Sequence, residues 1–396
     1  MRSHRRERIG ALLCGGALTA GLLASCTVLP SALQGPGSAP GERTARTPPA
    51  SAAAAPPVLS GATASAGPSA PASAGAAAPA SAAEPRVGAF LGSGPEGVRR
   101  IRGMERWLGG TRLRAGHTYL PGRLWTDIEG RPGFLEPWAR WRREEDERLL
   151  VLNVPMADHN EAGLSDARVR ALLRKGAGGH FDGHYRTLAG RLVRQHLADT
   201  VLVLGWEMNG TTYTHRCGPD PAAWKAYWRR IVATMRAVPG QRFRFDFAPS
   251  RGRDAVPWTR CYPGDDVVDV LGMDAYDQPE GMPFEEQVRE PYGLAAHVDF
   301  AARHRKPVSY PEWGLFRNGD NAEYVRRMLA WMHRHKPLYQ TISDYCPHGV
   351  WQCRGNVASS ATYRMALSAE PQPWWERCFG IGDYCVRLDW LRPLAG

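Results

Sequence analysis

Between residues 27 and 85 the chain has no phenylalanine, tryptophan or tyrosine. Ala, Pro, Ser and Gly dominate that stretch, so it cannot bury enough apolar surface to offset chain entropy. A disordered linker is therefore predicted over 26–85. After residue 30 there is no long apolar run, which excludes a polytopic membrane protein. No basic run is interleaved with aromatics, which argues against nucleic acid as a partner. No Cys-x-x-Cys occurs and no His stands at ligand spacing near the cysteines, so no metal and no cofactor are expected. Lysine is scarce, 4 residues against 46 Arg. The Arg are scattered, so the formal net charge of +11 reads as solubility rather than as a binding device.

What is present begins with a targeting signal. Arg2, Arg5, Arg6 and Arg8 precede an apolar stretch, Ala11–Ala24, too short for a spanning helix. It ends in Leu23-Ala24-Ser25-Cys26, which resembles a bacterial lipobox and makes Cys26 the expected lipidation site. Residues 1–25 then form a signal peptide, 26–85 the linker and 86–396 one folded domain, exported and tethered to the outer face of the cell membrane, or secreted. The signal peptide carries +3 of the charge and the linker none, which leaves +8 on the domain. The domain has six cysteines: Cys217, Cys261, Cys346, Cys353, Cys378 and Cys385. An even number in an exported chain predicts disulfides. Local pairs Cys346–Cys353 and Cys378–Cys385 would leave Cys217–Cys261, one of ~15 possible arrangements.

Short aliphatic runs alternate with helical periodicity. Strands are predicted at Val87–Leu91, Leu113–Leu120, Leu149–Val154, Thr200–Gly205, Phe243–Ala248, Val267–Met273, Pro307–Tyr310 and Tyr339–Tyr345. Helices are predicted at Tyr185–Leu197, Ala222–Ala237, Phe284–His304 and Ala322–His335, with little or no helix over Ser250–Asp266. Eight strands with interposed helices fit an α/β fold, a (β/α)8 TIM barrel. A doubly wound sheet is the alternative, and the absence of G-x-G-x-x-G after the first strand weighs against it.

In such a barrel the chemistry belongs at the C-terminal ends of the strands. The apolar run Val201–Gly205 leads straight into Trp206-Glu207-Met208-Asn209-Gly210, and Pro307–Tyr310 leads into Pro311-Glu312-Trp313-Gly314. Two Glu at strand ends, each beside a Trp, match the needs of glycoside hydrolysis: one carboxyl protonates the leaving oxygen and the other attacks or assists water. Trp206, Trp313, Tyr213 and Trp351 are candidates for stacking on sugar rings. His117, Asp158, His159 and His348 are candidates for contacts with sugar hydroxyls. Asp274 and Asp277, which flank Tyr276, either bind sugar or cap their loop. Trp374 and Trp375 are expected to pack the cysteine-bounded tail on the barrel.

Three segments together resemble glycoside hydrolase family 26, over roughly Arg86–Arg364: Trp206-Glu-Met-Asn-Gly210, Tyr262-Pro-Gly-Asp-Asp-Val-Val-Asp-Val-Leu-Gly-Met-Asp-Ala-Tyr276 and Pro311-Glu-Trp-Gly314. The resemblance implies a retaining hydrolase, best known as a β-mannanase. In it Glu207 corresponds to the acid/base, Glu312 to the nucleophile and Tyr276 to a tyrosine that orients the nucleophile, while Asn209, in the motif beside the acid, is expected to bind substrate. The chain departs from the family in having Trp206 where His usually precedes the acid, apolar strand residues where an Arg stands a little earlier, and Pro311 where Ser commonly precedes the nucleophile. The expected partner is a polysaccharide of β-1,4-mannan type, cleaved by a monomer in endo fashion. Xylan, mixed-linkage glucan and bacterial wall glycan are rival substrates, and a catalytically silent carbohydrate-binding lipoprotein is the rival function.

Overall fold

The computed structural model describes residues 85–369 and the backbone of 378–381 and 384–387. The signal peptide, the linker, Cys26 and the Trp374-Trp375 pair lie outside the described residues, as do the side chains of Cys378 and Cys385. The sheet is parallel throughout. Its strands are β1 (Arg86–Phe90), β2 (Ala115–Tyr119), β3 (Leu149–Val154), β4 (Val201–Leu204), β5 (Arg244–Phe247), β6 (Val270–Gly272), β7 (Ala275–Tyr276), β8 (Val308–Gly314) and β9 (Tyr339–Ser343). They pair in the order β1-β2-β3-β4-β5-β6-β8-β9, and β9 returns to β1, which closes an eight-stranded barrel. β7 continues the line of β6 along β8. This is the (β/α)8 TIM barrel expected from the alternating pattern.

Each wall strand separates two apolar layers because successive side chains point to opposite faces. In β3 (Leu-Leu-Val-Leu-Asn-Val), Leu150, Leu152 and Val154 join the large core under the helices, whereas Leu149 and Val151 join a second cluster with Ala115, Val201, Val203, Trp206, Ala248 and Tyr339. That second cluster fills the barrel interior. Asn153 is the polar member of the same inward row.

The outer ring comprises α1 (Pro95–Trp107), α2 (Trp125–Ile128), α3 (Pro132–Arg143), α4 (Asp166–Ala177), α5 (Asp182–Arg194), α6 (Pro221–Arg236), α7 (Phe284–Arg289), α8 (Leu294–His304), α9 (Ala322–His335) and α10 (Val357–Leu367). Pro221 opens α6, where a missing N–H costs nothing, and Asp220 caps it by accepting from the amide of Ala223 at 3.1 Å. The single helix expected over Phe284–His304 is two helices. Pro291 cannot donate an amide and pushes Glu290 out of the helical region, to ψ 153°, which ends α7. Helices α1, α2, α3, α4 and α10 escape the sequence reading. After β5 there is a single 3-10 turn, Trp258–Cys261, as the Pro/Gly-bearing segment implies.

Disulfides join Cys217 to Cys261 and Cys346 to Cys353. The first ties the loop after β4 to the turn after β5; the second closes the loop after β9. A short antiparallel pair, β10 (Cys378–Ile381) and β11 (Tyr384–Arg387), follows the barrel in sequence.

Candidate active site

The fourth strand ends at a forced turn. Gly205 takes φ +60°, and a Cβ there would come within 2.4 Å of the Met156 sulfur. Glu207 follows at φ +47°, left-handed backbone that a side chain rarely adopts. Its amide donates to the Ala248 carbonyl at 2.8 Å, and its carbonyl accepts from the Gly210 amide at 3.1 Å. Asn209 spends both ends of its amide on the backbone of Ser250, at 3.0 and 2.9 Å. It is fully buried and lashes the loop after β4 to the loop after β5, so the expectation that it contacts substrate is corrected.

Glu312 does not follow its strand but belongs to it, since β8 runs on to Gly314. Tyr310 pairs with Gln340 and Trp313 with Ile342, so β8 carries one residue more than β9 across this stretch. Such a bulge accommodates Pro311, which has no amide for the ladder, and re-aims the residue after it. Glu312 turns inward. Tyr276 donates to its Oε2 at 2.8 Å and Asn153 to its Oε1 at 3.2 Å. The Tyr276 hydroxyl also meets Ser343 Oγ at 2.7 Å.

These surroundings split the two carboxyls. Burial raises both above the ordinary carboxylate range. Glu207 is raised further by the negative charge of Glu312 and by Asp254, against weaker pulls from hydrogen bonds with Ser250 and Tyr213. Tyr119, Tyr276 and Asn153 work the other way on Glu312 and favour its charged form. One proton shared between them therefore rests on Glu207, and Glu312 is the anion. Asp274, buried with no partner on either oxygen, is pushed far up by burial and by the charges of Glu312 and Glu207, and stays a neutral acid. Tyr119 and Tyr276 are raised well above the usual phenol value by burial and by Glu312, so both remain donors.

Glu312 opens into a cavity of about 340 Å³ lined by Phe90, Tyr119, Asn160, Trp206, Tyr213 and Tyr345 among others. Trp206 meets Tyr119 and Tyr213 edge-on, at 5.4 and 5.0 Å between ring centres. Of the expected stacking residues, Trp206 and Tyr213 thus line the cavity, and two do not. Trp313 is fully buried on the outer side of the wall, donating to Gln340 Oε1 at 2.6 Å and packing against Tyr363 of α10. Trp351 lies over Gly103 of α1, where a Cβ would come within 2.8 Å of its ring. His117 is sealed beneath the cavity floor. It bonds Asn153 Oδ1 at 2.8 Å and Thr341 Oγ1 at 3.1 Å, and burial drives its pKa down to about 4, so it is neutral. Asp158 and the exposed His159 pair with each other at 3.1 Å outside the lining. Asp277 is a loop staple, accepting from Gln287, Asn318 and Asn321. His348 packs on Tyr276 at 4.7 Å and bonds the Leu315 carbonyl at 2.6 Å. Among the described residues, no group of His, Cys, Asp or Glu is arranged to hold a metal ion.

The sequence reading did not single out Tyr119, Asn153, Ser250, Ser343, Tyr345 or Phe90. Asn153 was the most visible of these, a polar residue inside an otherwise apolar strand.

Residues 204–296, which carry Glu207 and Tyr276, match glycosyl hydrolase family 26. That match runs from the end of β4 into α8. No curated protein matches the sequence. Among solved structures, a mannanase of Bacillus subtilis is 15% identical, with 70% of this chain and 85% of that one covered at a TM-score of 0.51. A β-mannanase of Bacteroides ovatus is 16% identical, with 71% and 88% covered at 0.50. The catalytic domain of an endo-β-1,4-mannanase from a Bacillus species is 17% identical, with 67% and 79% covered at 0.51. These proteins share the barrel fold with this chain.

Proposed function

We propose that this glycoside hydrolase is a retaining endo-β-glycanase that acts on a β-1,4-mannan-like polysaccharide by double displacement. The observation that carries the reading is the charge division at the site. Glu312 is kept ionised by Tyr276, Tyr119 and Asn153, while Glu207 keeps its proton under burial and the Glu312 charge. In the first step Glu312 attacks the anomeric carbon and Glu207 gives its proton to the leaving oxygen. In the second, Glu207 takes a proton from water as the water oxygen displaces Glu312. This route calls for carboxyls ~5–5.5 Å apart, against ~6.5–9.5 Å for inversion. Trp206 and Tyr213 supply ring faces to the sugar.

Mannan is favoured because the structurally similar proteins are mannanases, and the aromatic Trp206 beside the acid leaves room for a different β-glycan. The test incubates the purified protein with mannan, xylan, mixed-linkage glucan and bacterial wall glycan, and follows fresh reducing ends by proton NMR. Cleavage of mannan with the β-anomer appearing first is expected. The α-anomer appearing first overturns the retaining route, and cleavage confined to another glycan overturns the substrate.

The exported, Cys26-anchored placement is likewise our proposal. It rests on the N-terminal pattern, and the two disulfides, which suit an oxidising compartment, support it. Release of the protein into the medium on Cys26→Ser is the expected result, and unchanged retention in the membrane fraction refutes the anchor.

A further inference from the structure

Asn160 is fixed everywhere except at its side-chain amide. Its backbone N–H donates to the Gly122 carbonyl in the loop after β2 at 2.9 Å, and its carbonyl accepts from the Thr214 amide in the loop after β4 at 2.7 Å. The Thr214 hydroxyl donates to the preceding His159 carbonyl at 2.6 Å. Gly122 lies so close that a Cβ there would come within 2.6 Å of the Asn160 Cβ, so the loops after β2 and β3 can meet in this way only at a glycine. Three loops of the barrel mouth thus converge on one residue and hold its backbone in place. Asn160 is 4% exposed and lines the same cavity as Glu312, and its Oδ1 is buried with no hydrogen-bond partner. An amide taken out of water without a partner is destabilising, and leucine would fill nearly the same volume without that penalty. The fold therefore gives no reason for the amide, whereas a ligand reached from the cavity does.

We propose that Asn160 is a specificity-determining residue, whose amide binds the hydroxyls of an uncharged sugar unit lodged in the cavity that Glu312 opens into. The proposal rests on the glycanase reading above and narrows its substrate class. An Asn amide carries an acceptor and two donors in one plane, so it can accept from one ring hydroxyl and donate to the next. Its χ2 turns in a broad well, so a sugar at the cavity wall can draw either end of the amide onto its hydroxyls. The charge of the lining works against acidic sugars. It holds the acids Glu161, exposed beside Asn160, and Glu312, and among the described residues no Arg, Lys or His lines it. A uronate, sulfate or phosphate would meet carboxylates there with no cation to pair it.

The test measures binding by titration calorimetry to the full-length protein carrying Glu312→Ala, which leaves the bound sugar intact. The ligands are hexamers of β-1,4-mannan, xylan and mixed-linkage glucan, together with the hexamer of β-1,4-mannuronate, which is the mannan backbone with a carboxylate at C6. The mannan hexamer is expected to bind and the mannuronate hexamer to bind at least tenfold more weakly. Adding Asn160→Leu weakens the neutral hexamer by about 10-fold or more. The melting temperature stays level or rises, because leucine removes an unpaired polar group. With Glu312 restored, Asn160→Leu raises KM on the polysaccharide by a similar factor and changes kcat less. Unchanged Kd and KM in Asn160→Leu, with a lowered melting temperature, overturn the inference and leave the amide a structural group. Equal or tighter binding of the mannuronate hexamer overturns the uncharged class. If the xylan or glucan hexamer binds in place of mannan and Asn160→Leu weakens it, the mannan reading fails and the role of Asn160 stands; if no hexamer binds, both fail.

Discussion

Glu312 stands inside the barrel wall, on a bulged strand between two paired neighbours, and side-chain donors from two other strands converge on it. Glu207 stands across the barrel in a loop, on left-handed backbone, with its position set by Gly205, the Ala248 carbonyl and the lashing of Asn209 to Ser250. The wall half is rich in donors and favours charge. The loop half is buried, sees the charges of Glu312 and Asp254 and favours the proton. Two carboxyls of the same chemical type are thus driven to different tasks by where the fold puts them.

The comparison breaks most decisively at Glu312. Replacing it by Ala should lower kcat on polysaccharide by about 10⁴-fold or more with an unchanged melting curve; a loss of only a few-fold would show that the wall carboxylate does not attack. Glu207→Ala should cost ~10²–10⁴-fold, with the loss largely recovered on an aryl glycoside whose leaving group needs no proton. No recovery would mean that the loop carboxyl is not the acid. Trp313→Ala sharpens the distinction between neighbours in the wall. It should destabilise the fold by ~3–5 kcal/mol in denaturant melts while KM of the folded fraction stays as in the wild type; a raised KM with full stability would return Trp313 to the sugar site. The smallest effect belongs to Asp254, whose charge helps to raise Glu207. Activity requires Glu207 protonated and is lost as pH rises through its pKa, so Asp254→Asn should shift the alkaline limb downward by a fraction of a pH unit. An upward shift would reverse the sign assigned to that neighbour.

Most of the barrel was legible in the chain because its strands are short, aliphatic and separated by turn residues; Leu149–Val154 and Ala322–His335 fall where the pattern puts them. The two Glu were legible for the same reason, each following such a run. The misreadings share one cause. Taking Pro307–Tyr310 as the whole strand turned Pro311–Gly314 into a loop, where Glu312 and Trp313 could both face the sugar. In a strand, adjacent residues face opposite ways, so placing Glu312 inward sends Trp313 outward. The bulge that extends the strand past a proline depends on its pairing with β9 and leaves no local mark. Tyr119 was hidden differently: it lies 34 positions from Asn153 in the sequence and becomes its neighbour only through the ladder.

Both covalent crosslinks among the described residues fall on loops around the mouth, none in the ring of helices. The described strands and helices carry no covalent crosslink, whereas the rim that shapes access to the carboxyls is stitched. Under reducing conditions the barrel would therefore stay shut while its entrance loosened, so the choice of polymer, rather than the ability to fold, is what depends on the redox state of the surroundings.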